Sequence, residues 1–130
     1  MSTQPIFLYA PDLYWKLTQE ERESFRCGPG RGVLEKLVPE TIWLLKITDA
    51  CSIHDFMYHE GEASDQGKIE ADLVLRNNMI RIIEAKTKSK LLLKLRLRRA
   101  QTYYLAVKHL GGPAYWQNKN KPSEMGLIHI

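Results

Sequence analysis

His54 and Asp55 stand side by side in the run ACSIHDFMYH that spans residues 50–59, with Cys51 before them and Tyr58 after. Wound into a helix, Cys51, His54, Asp55 and Tyr58 have offsets 0, 3, 4 and 7 and share one face. That stripe carries a base, a carboxylate and a phenol. Histidine titrates near neutrality without adjustment, so it can take a proton from water. A carboxylate oxygen suits a hard cation, and a tyrosine hydroxyl fixes a neighbour by hydrogen bonding. Together these are parts for calcium-assisted hydrolysis of an ester.

A second carboxylate has to reach His54 from elsewhere in the chain. Asp72 lies on or beside a stripe of Ile69, Leu73, Arg76, Met79, Ile80 and Ile83 that recurs at helical spacing. A carboxylate there is costly unless it is paired. The polar run at residues 60–67 contains two glycines and reads as the connection between antiparallel helices, the first over residues 49–58 and the second from residue 68. His54 and Asp72 are each nine positions from Ala63, the middle of that connection. A helical hairpin sets them opposite one another.

Around this pair the chain divides readily. Thr18-Gln19-Glu20-Glu21 has the form of a capping box and opens a helix to about residue 26. Cys27-Gly28-Pro29-Gly30-Arg31-Gly32 permits positive φ angles, lacks an amide donor at Pro29, and reads as a shaped loop. Residues 33–37 add a short turn, and Pro39 suits the first position of a helical segment over residues 40–45. Residues 93–98 alternate leucine with lysine or arginine, a strand-like pattern. The wider segment 89–110 is nevertheless expected to be helical, because strong helix formers dominate it and Gly111-Gly112-Pro113 ends it. No element is assigned to the tail, residues 114–130.

With 130 residues, 44% apolar and 26% charged, the chain is expected to form one domain, residues 1–130, with its core over 18–110. Its fold class is expected to be mostly α. The net charge is +4, and Lys86, Lys88, Lys90, Lys94, Arg96, Arg98 and Arg99 fall in a stretch without an acid. No apolar run is long enough for a membrane span. The first residues lack the charged-then-apolar order of a secretory signal, so export by a standard signal is not expected.

The loop and the helix motif resemble the two signatures of the secreted phospholipase A2 superfamily. One is a Cys-Gly-x-Gly calcium loop, here Cys27-Gly28-Pro29-Gly30; the other is Cys-x-x-His-Asp-x-x-Tyr, here residues 51–58. With Asp72, the resemblance covers roughly residues 25–80. The chain is also similar to small bacterial and phage proteins with a His-Asp-x-x-Tyr core. The resemblance implies a phospholipase A2-like fold, in which an antiparallel helix pair carries the site beside a metal-binding loop. It implies cleavage of the sn-2 ester of a glycerophospholipid, with His54 as base, Asp72 orienting its ring, Tyr58 holding Asp72, and the Gly28 amide stabilising the oxyanion. Calcium is the implied cofactor, held by Asp55 and by the carbonyls of Arg26, Gly28 and Gly30. A disulfide between Cys27 and Cys51 is also implied, with a stabilisation of about 3 kcal/mol in the chain-entropy model.

Other readings of the same residues stay open. His54 is alternatively a hydrogen-bonded core histidine, Tyr58 with Asp72 a buried structural pair, and the glycine-rich loop a simple chain reversal. The whole is then a catalytically silent phage or envelope component of the same fold. A transition-metal site at His54, His59 and Glu60 is disfavoured, because His54 and His59 fall on different helix faces. The basic stretch is either a solvated helix face or a contact for anionic lipid head groups, each cation near the surface contributing about 1 kcal/mol. A nucleic-acid-binding module lacks a recognised motif and stacking aromatics beside the charges. The expected partner is therefore a phospholipid or anionic membrane surface, and not nucleic acid.

Overall fold

Three long helices dominate the computed structural model, which describes residues 6–25, 38–117 and 119–120. In chain order the elements among these residues are α1 (Asp12–Trp15), α2 (Gln19–Ser24), β1 (Thr41–Ile42), β2 (Leu45–Lys46), α3 (Thr48–Glu60), α4 (Asp65–Lys86), α5 (Lys90–Leu110) and α6 (Gly112–Trp116). The class is mostly α, as expected. Arg26, Cys27, Gly28 and Gly30, with the rest of the glycine-rich loop and residues 33–37, lie outside the described residues.

Polar side chains start the helices where local sequence provides them. Thr18 Oγ1 accepts from the Glu21 amide at 3.1 Å, and Glu21 Oε1 accepts from the Thr18 amide at 2.9 Å, which completes the expected capping box. Ser64 caps α4 through the Gly67 amide at 3.1 Å, and Ser89 caps α5 through the Leu92 amide at 3.3 Å. Each such cap is worth about 1 kcal/mol. The Ser64 cap starts α4 at Asp65, three residues earlier than the sequence reading placed it.

α4 packs against α3 on one side and α5 on the other, so its buried arc is wide. Ala71, Asp72, Val74, Leu75, Asn78, Met79, Ile82 and Ile83 are buried, whereas Ile69 and Leu73 are exposed. The expected stripe is therefore rotated around the helix. Small Ala71 and polar Asn78 belong to the buried arc but do not register as apolar periodicity. Asn78 is fully buried because its amide pairs with backbone: it donates to the Tyr9 carbonyl at 2.8 Å and accepts from the Tyr9 amide at 2.9 Å. This ties the N-terminal segment across α4.

Residues 40–45 are not helical. Thr41 pairs with Lys46 and Ile42 with Leu45 in an antiparallel hairpin whose two-residue turn is Trp43-Leu44. Both turn residues have positive φ, 45° and 69°, as the primed turn that matches strand twist requires. β-branched Thr41 and Ile42 favour the extended form. α5 adds tertiary anchors: Arg96 Nη2 donates to the Trp43 carbonyl at 2.8 Å, and the Tyr103 hydroxyl to the Thr41 carbonyl at 3.0 Å. α5 itself is helical through the alternating segment. Gly111 ends it with right-handed backbone, φ −81°, and Gly112-Pro113 opens α6 instead of stopping helical structure.

Candidate active site

The site grows from the α3–α4 pairing. Four residues of the motif stripe fall within α3, where Cys51, His54 and Tyr58 are buried and Asp55 is half-buried. From α4, Asp72 enters the same interior with 2% exposure. His54 Nε2 lies 2.9 Å from Asp72 Oδ1, and the Tyr58 hydroxyl donates to that same oxygen at 2.6 Å. The equal spacing from Ala63 thus brings together the residues it was expected to bring together. The His54 and Tyr58 rings also touch, with centroids 4.2 Å apart.

Lys68 holds the other carboxylate oxygen and is absent from the sequence reading. Its Nζ donates to Asp72 Oδ2 at 2.7 Å, to the Val107 carbonyl at 2.9 Å and to the Lys108 carbonyl at 3.2 Å. One ammonium therefore balances the buried carboxylate and caps carbonyls at the end of α5, where a cation is favoured. The available signal is the spacing: Lys68 precedes Asp72 by four positions in one helix.

Burial acts to raise the Asp72 pKa, but the hydrogen bond and charge of His54, with the hydrogen bonds from Lys68 and Tyr58, outweigh it and hold it below the usual carboxylate range. Tyr58 moves the opposite way. Burial first, then the Asp72 charge and hydrogen bond, push its phenol far above the ordinary value, so it remains a neutral donor. When the His54 ring is neutral, Nε2–H donates to the carboxylate and the lone pair sits on Nδ1. Among the described residues no hydrogen bond engages that nitrogen.

Aromatic and glycine contacts brace the cluster. Tyr115 of α6 meets Tyr58 edge-on with centroids 5.1 Å apart, and its hydroxyl donates to the Glu62 carbonyl. Lys119 donates to the Tyr58 carbonyl and sits 4.0 Å from the Tyr115 ring centroid. A Cβ on Gly111 would lie 2.5 Å from the Tyr58 hydroxyl, so only glycine lets the end of α5 close over the phenol. None of these braces is evident in the sequence, because each depends on long-range packing.

Two clefts flank the site. One of about 710 Å³ is lined by Lys68, Asp72, Tyr104, Lys108, His109 and Trp116, among others, and so reaches the Lys68 side of the carboxylate. The other, about 340 Å³, runs along a different flank of α3 and includes Leu8, Tyr14, Trp15, Arg22, Phe25 and Ile53. Neither includes His54. Asp55 is the expected metal ligand on the described residues; the carbonyls of Arg26, Gly28 and Gly30 and the amide of Gly28 are outside them. No group of three histidine, cysteine, aspartate or glutamate side chains able to hold an ion occurs among the described residues. A site built on one carboxylate and backbone carbonyls would not form such a group. His59 pairs with Glu60 at 3.2 Å on the exposed surface, away from the buried His54.

No protein-family model, curated protein or solved structure matches the chain. The arrangement of His54, Asp72, Tyr58 and Lys68 thus carries the functional argument.

Proposed function

We propose that this chain is a calcium-dependent, phospholipase A2-like hydrolase that cleaves the sn-2 ester of glycerophospholipids. The observation that carries the reading is the His54–Asp72–Tyr58 constellation, in which 2.9 Å and 2.6 Å contacts converge on one buried carboxylate oxygen. Asp72 holds the ring so that His54 Nδ1 can accept a proton from water as that water adds to the ester carbonyl. The same proton then goes to the departing glycerol oxygen, so ester and water become fatty acid and lysophospholipid. Asp55, beside His54 on α3, offers the hard oxygen donor that calcium prefers, and the carbonyls of Arg26, Gly28 and Gly30 complete the proposed ligand set. When bound, calcium supplies positive charge beside the ester carbonyl. The Cys27–Cys51 bridge belongs to the same proposal; Cys51 is 1% exposed on α3, and intact mass with and without reductant tests the link.

His54→Gln should abolish phospholipid hydrolysis and leave the melting temperature nearly unchanged, since glutamine can still donate to Asp72 but cannot act as the base. Calcium should raise the melting temperature of the unaltered protein, and Asp55→Asn should weaken that rise. Turnover that survives His54→Gln or excess chelator would reject the mechanism. A rival reading, a catalytically silent protein of the same fold, draws on the burial of His54, 4% exposed with its Nε2 paired to Asp72. It requires no turnover under any calcium concentration.

A further inference from the structure

The hairpin turn ahead of α3 breaks two rules at once. Trp43 and Leu44 both hold positive φ, 45° and 69°, where asparagine and glycine are the favoured pair. They are also exposed, Leu44 at 96%. A strained backbone that presents two large apolar side chains to water is not explained by stability, since polar residues would suit the turn better. Retained strain of this kind points to use.

The surroundings indicate for what. Arg99 of α5 lies 5.8 Å from the Trp43 ring centroid, and Arg96 holds the Trp43 carbonyl, so the turn is fixed against the basic half of α5. On that helix Leu91, Leu95, Arg98 and Arg99 stand at offsets 0, 4, 7 and 8, one stripe with apolar and cationic side chains interleaved. Leu91, Arg98 and Arg99 are exposed. α5 contains Lys90, Lys94, Arg96, Arg98, Arg99 and Lys108 and no carboxylate. Lys46 of β2 and Lys86 of α4 line one shallow depression beside the hairpin together with the carboxylate of Asp49, so two cations against one acid leave that depression positive and carry the field beyond α5. Glu84 is the last acid before it along the chain.

We infer that the Trp43–Leu44 turn and the cationic stripe of α5 dock the protein on an anionic lipid bilayer. The choice of lipid as partner rests on the hydrolase reading above, while the surface itself rests on the exposed residues. Indole and aliphatic side chains enter the head-group boundary, and arginines and lysines around them meet lipid phosphates. Leucine at the tip argues against a polynucleotide, on which an aliphatic side chain cannot stack.

Sedimentation of the full-length protein with vesicles, in chelator so that hydrolysis does not intervene, tests this. Binding should be strong to vesicles containing phosphatidylglycerol and weak to phosphatidylcholine alone. Arg98→Gln combined with Arg99→Gln should lower the partition coefficient about thirtyfold, two cations' worth. Trp43→Asn combined with Leu44→Gly should lower it at least about tenfold while raising the melting temperature. If the double variant misfolds, Leu44→Gly alone carries the same test. Leu110→Ser, which removes an exposed leucine about 16 Å along α5 from Arg99, should change it less than about twofold.

Equal binding to neutral vesicles, unchanged binding in the turn variants, or a salt-sensitive complex with DNA in place of vesicle binding would overturn the inference. Vesicle binding of the expected pattern without hydrolysis in calcium would keep the docking surface and remove the hydrolase. Hydrolysis of a dispersed short-chain phospholipid without vesicle binding would do the reverse.

Discussion

Asp72 and the Trp43–Leu44 turn reverse the ordinary sorting of residues in opposite directions. Asp72 is a charge in the core, and every cost of placing it there is met locally: His54 and Tyr58 occupy one oxygen and Lys68 the other. Trp43 and Leu44 are apolar groups in water on left-handed backbone, and their local partners compensate little. Arg96 secures a carbonyl and Arg99 covers part of the indole, but nothing among the described residues shields Leu44. A satisfied exception is consistent with structure as much as with chemistry. An unsatisfied one asks for a partner outside the chain, and so the turn carries an inference about binding while the carboxylate cluster needs a test of turnover.

The largest expected effect breaks the satisfied side. Asp72→Ala leaves the Lys68 ammonium, 13% exposed, without its counter-charge, and removes the acceptor shared by His54 and Tyr58. Loss of one partner from such a buried pair costs about 3 kcal/mol or more, read as a lower urea midpoint at unchanged slope. The pH dependence should change with it. Because the folded Asp72 pKa lies below its ordinary value, the stability it contributes is fully present above about pH 4 and is lost as pH falls through the lower folded value. Asp72→Asn should flatten that acid limb. An identical acid limb in the variant would mean that other carboxylates govern acid unfolding.

The two regions also differ in how far the sequence reveals them. The α3–α4 pairing is legible because helical periodicity, a polar connection and equal spacing from Ala63 all agree. The register of His54 against Asp72 follows from counting. Lys68 is not, since its role needs the end of α5 at its side, and the rotated face of α4 escapes because Ala71 and Asn78 are buried without being strongly apolar. At residues 40–45 the local signals actively mislead. Pro39 suits a helix start, and Trp43-Leu44 lacks the asparagine or glycine that marks a primed turn. The strand pairing and the contacts from Arg96 and Tyr103 decide that segment, and those partners lie more than fifty residues away.

Tyr58→Phe sharpens the comparison at smaller cost. It removes one donor from Asp72 Oδ1 while His54 and Lys68 remain, so the loss should be about 1.5 kcal/mol, typical of a hydrogen bond to a charged group. Alkaline behaviour gives an independent reading. The Tyr58 pKa is raised in the folded state, so its contribution is present below the ordinary phenol value near pH 10 and is lost as pH rises towards the higher folded value. The variant should therefore lose stability less steeply above pH 10. If Tyr58→Phe costs nothing at neutral pH, the third donor is redundant and Lys68 with His54 suffices to keep the carboxylate in the core.

Leu44→Gly should have the smallest effect and the opposite sign. At φ 69° leucine holds its Cβ against the following carbonyl, a penalty of about 1–2 kcal/mol that glycine does not incur. Glycine gives part of this back through the greater entropy of its unfolded chain, about 0.5–1 kcal/mol. With the side chain 96% exposed, little packing is lost. The balance is a gain of about 0.5 kcal/mol, detectable as a small rise in urea midpoint. A clear destabilisation would show that Leu44 packs against something in the folded protein, and the turn would then join Asp72 as a locally compensated exception. A gain in stability, by contrast, leaves the exposed leucine without a folding role, as expected if its partner is a bilayer.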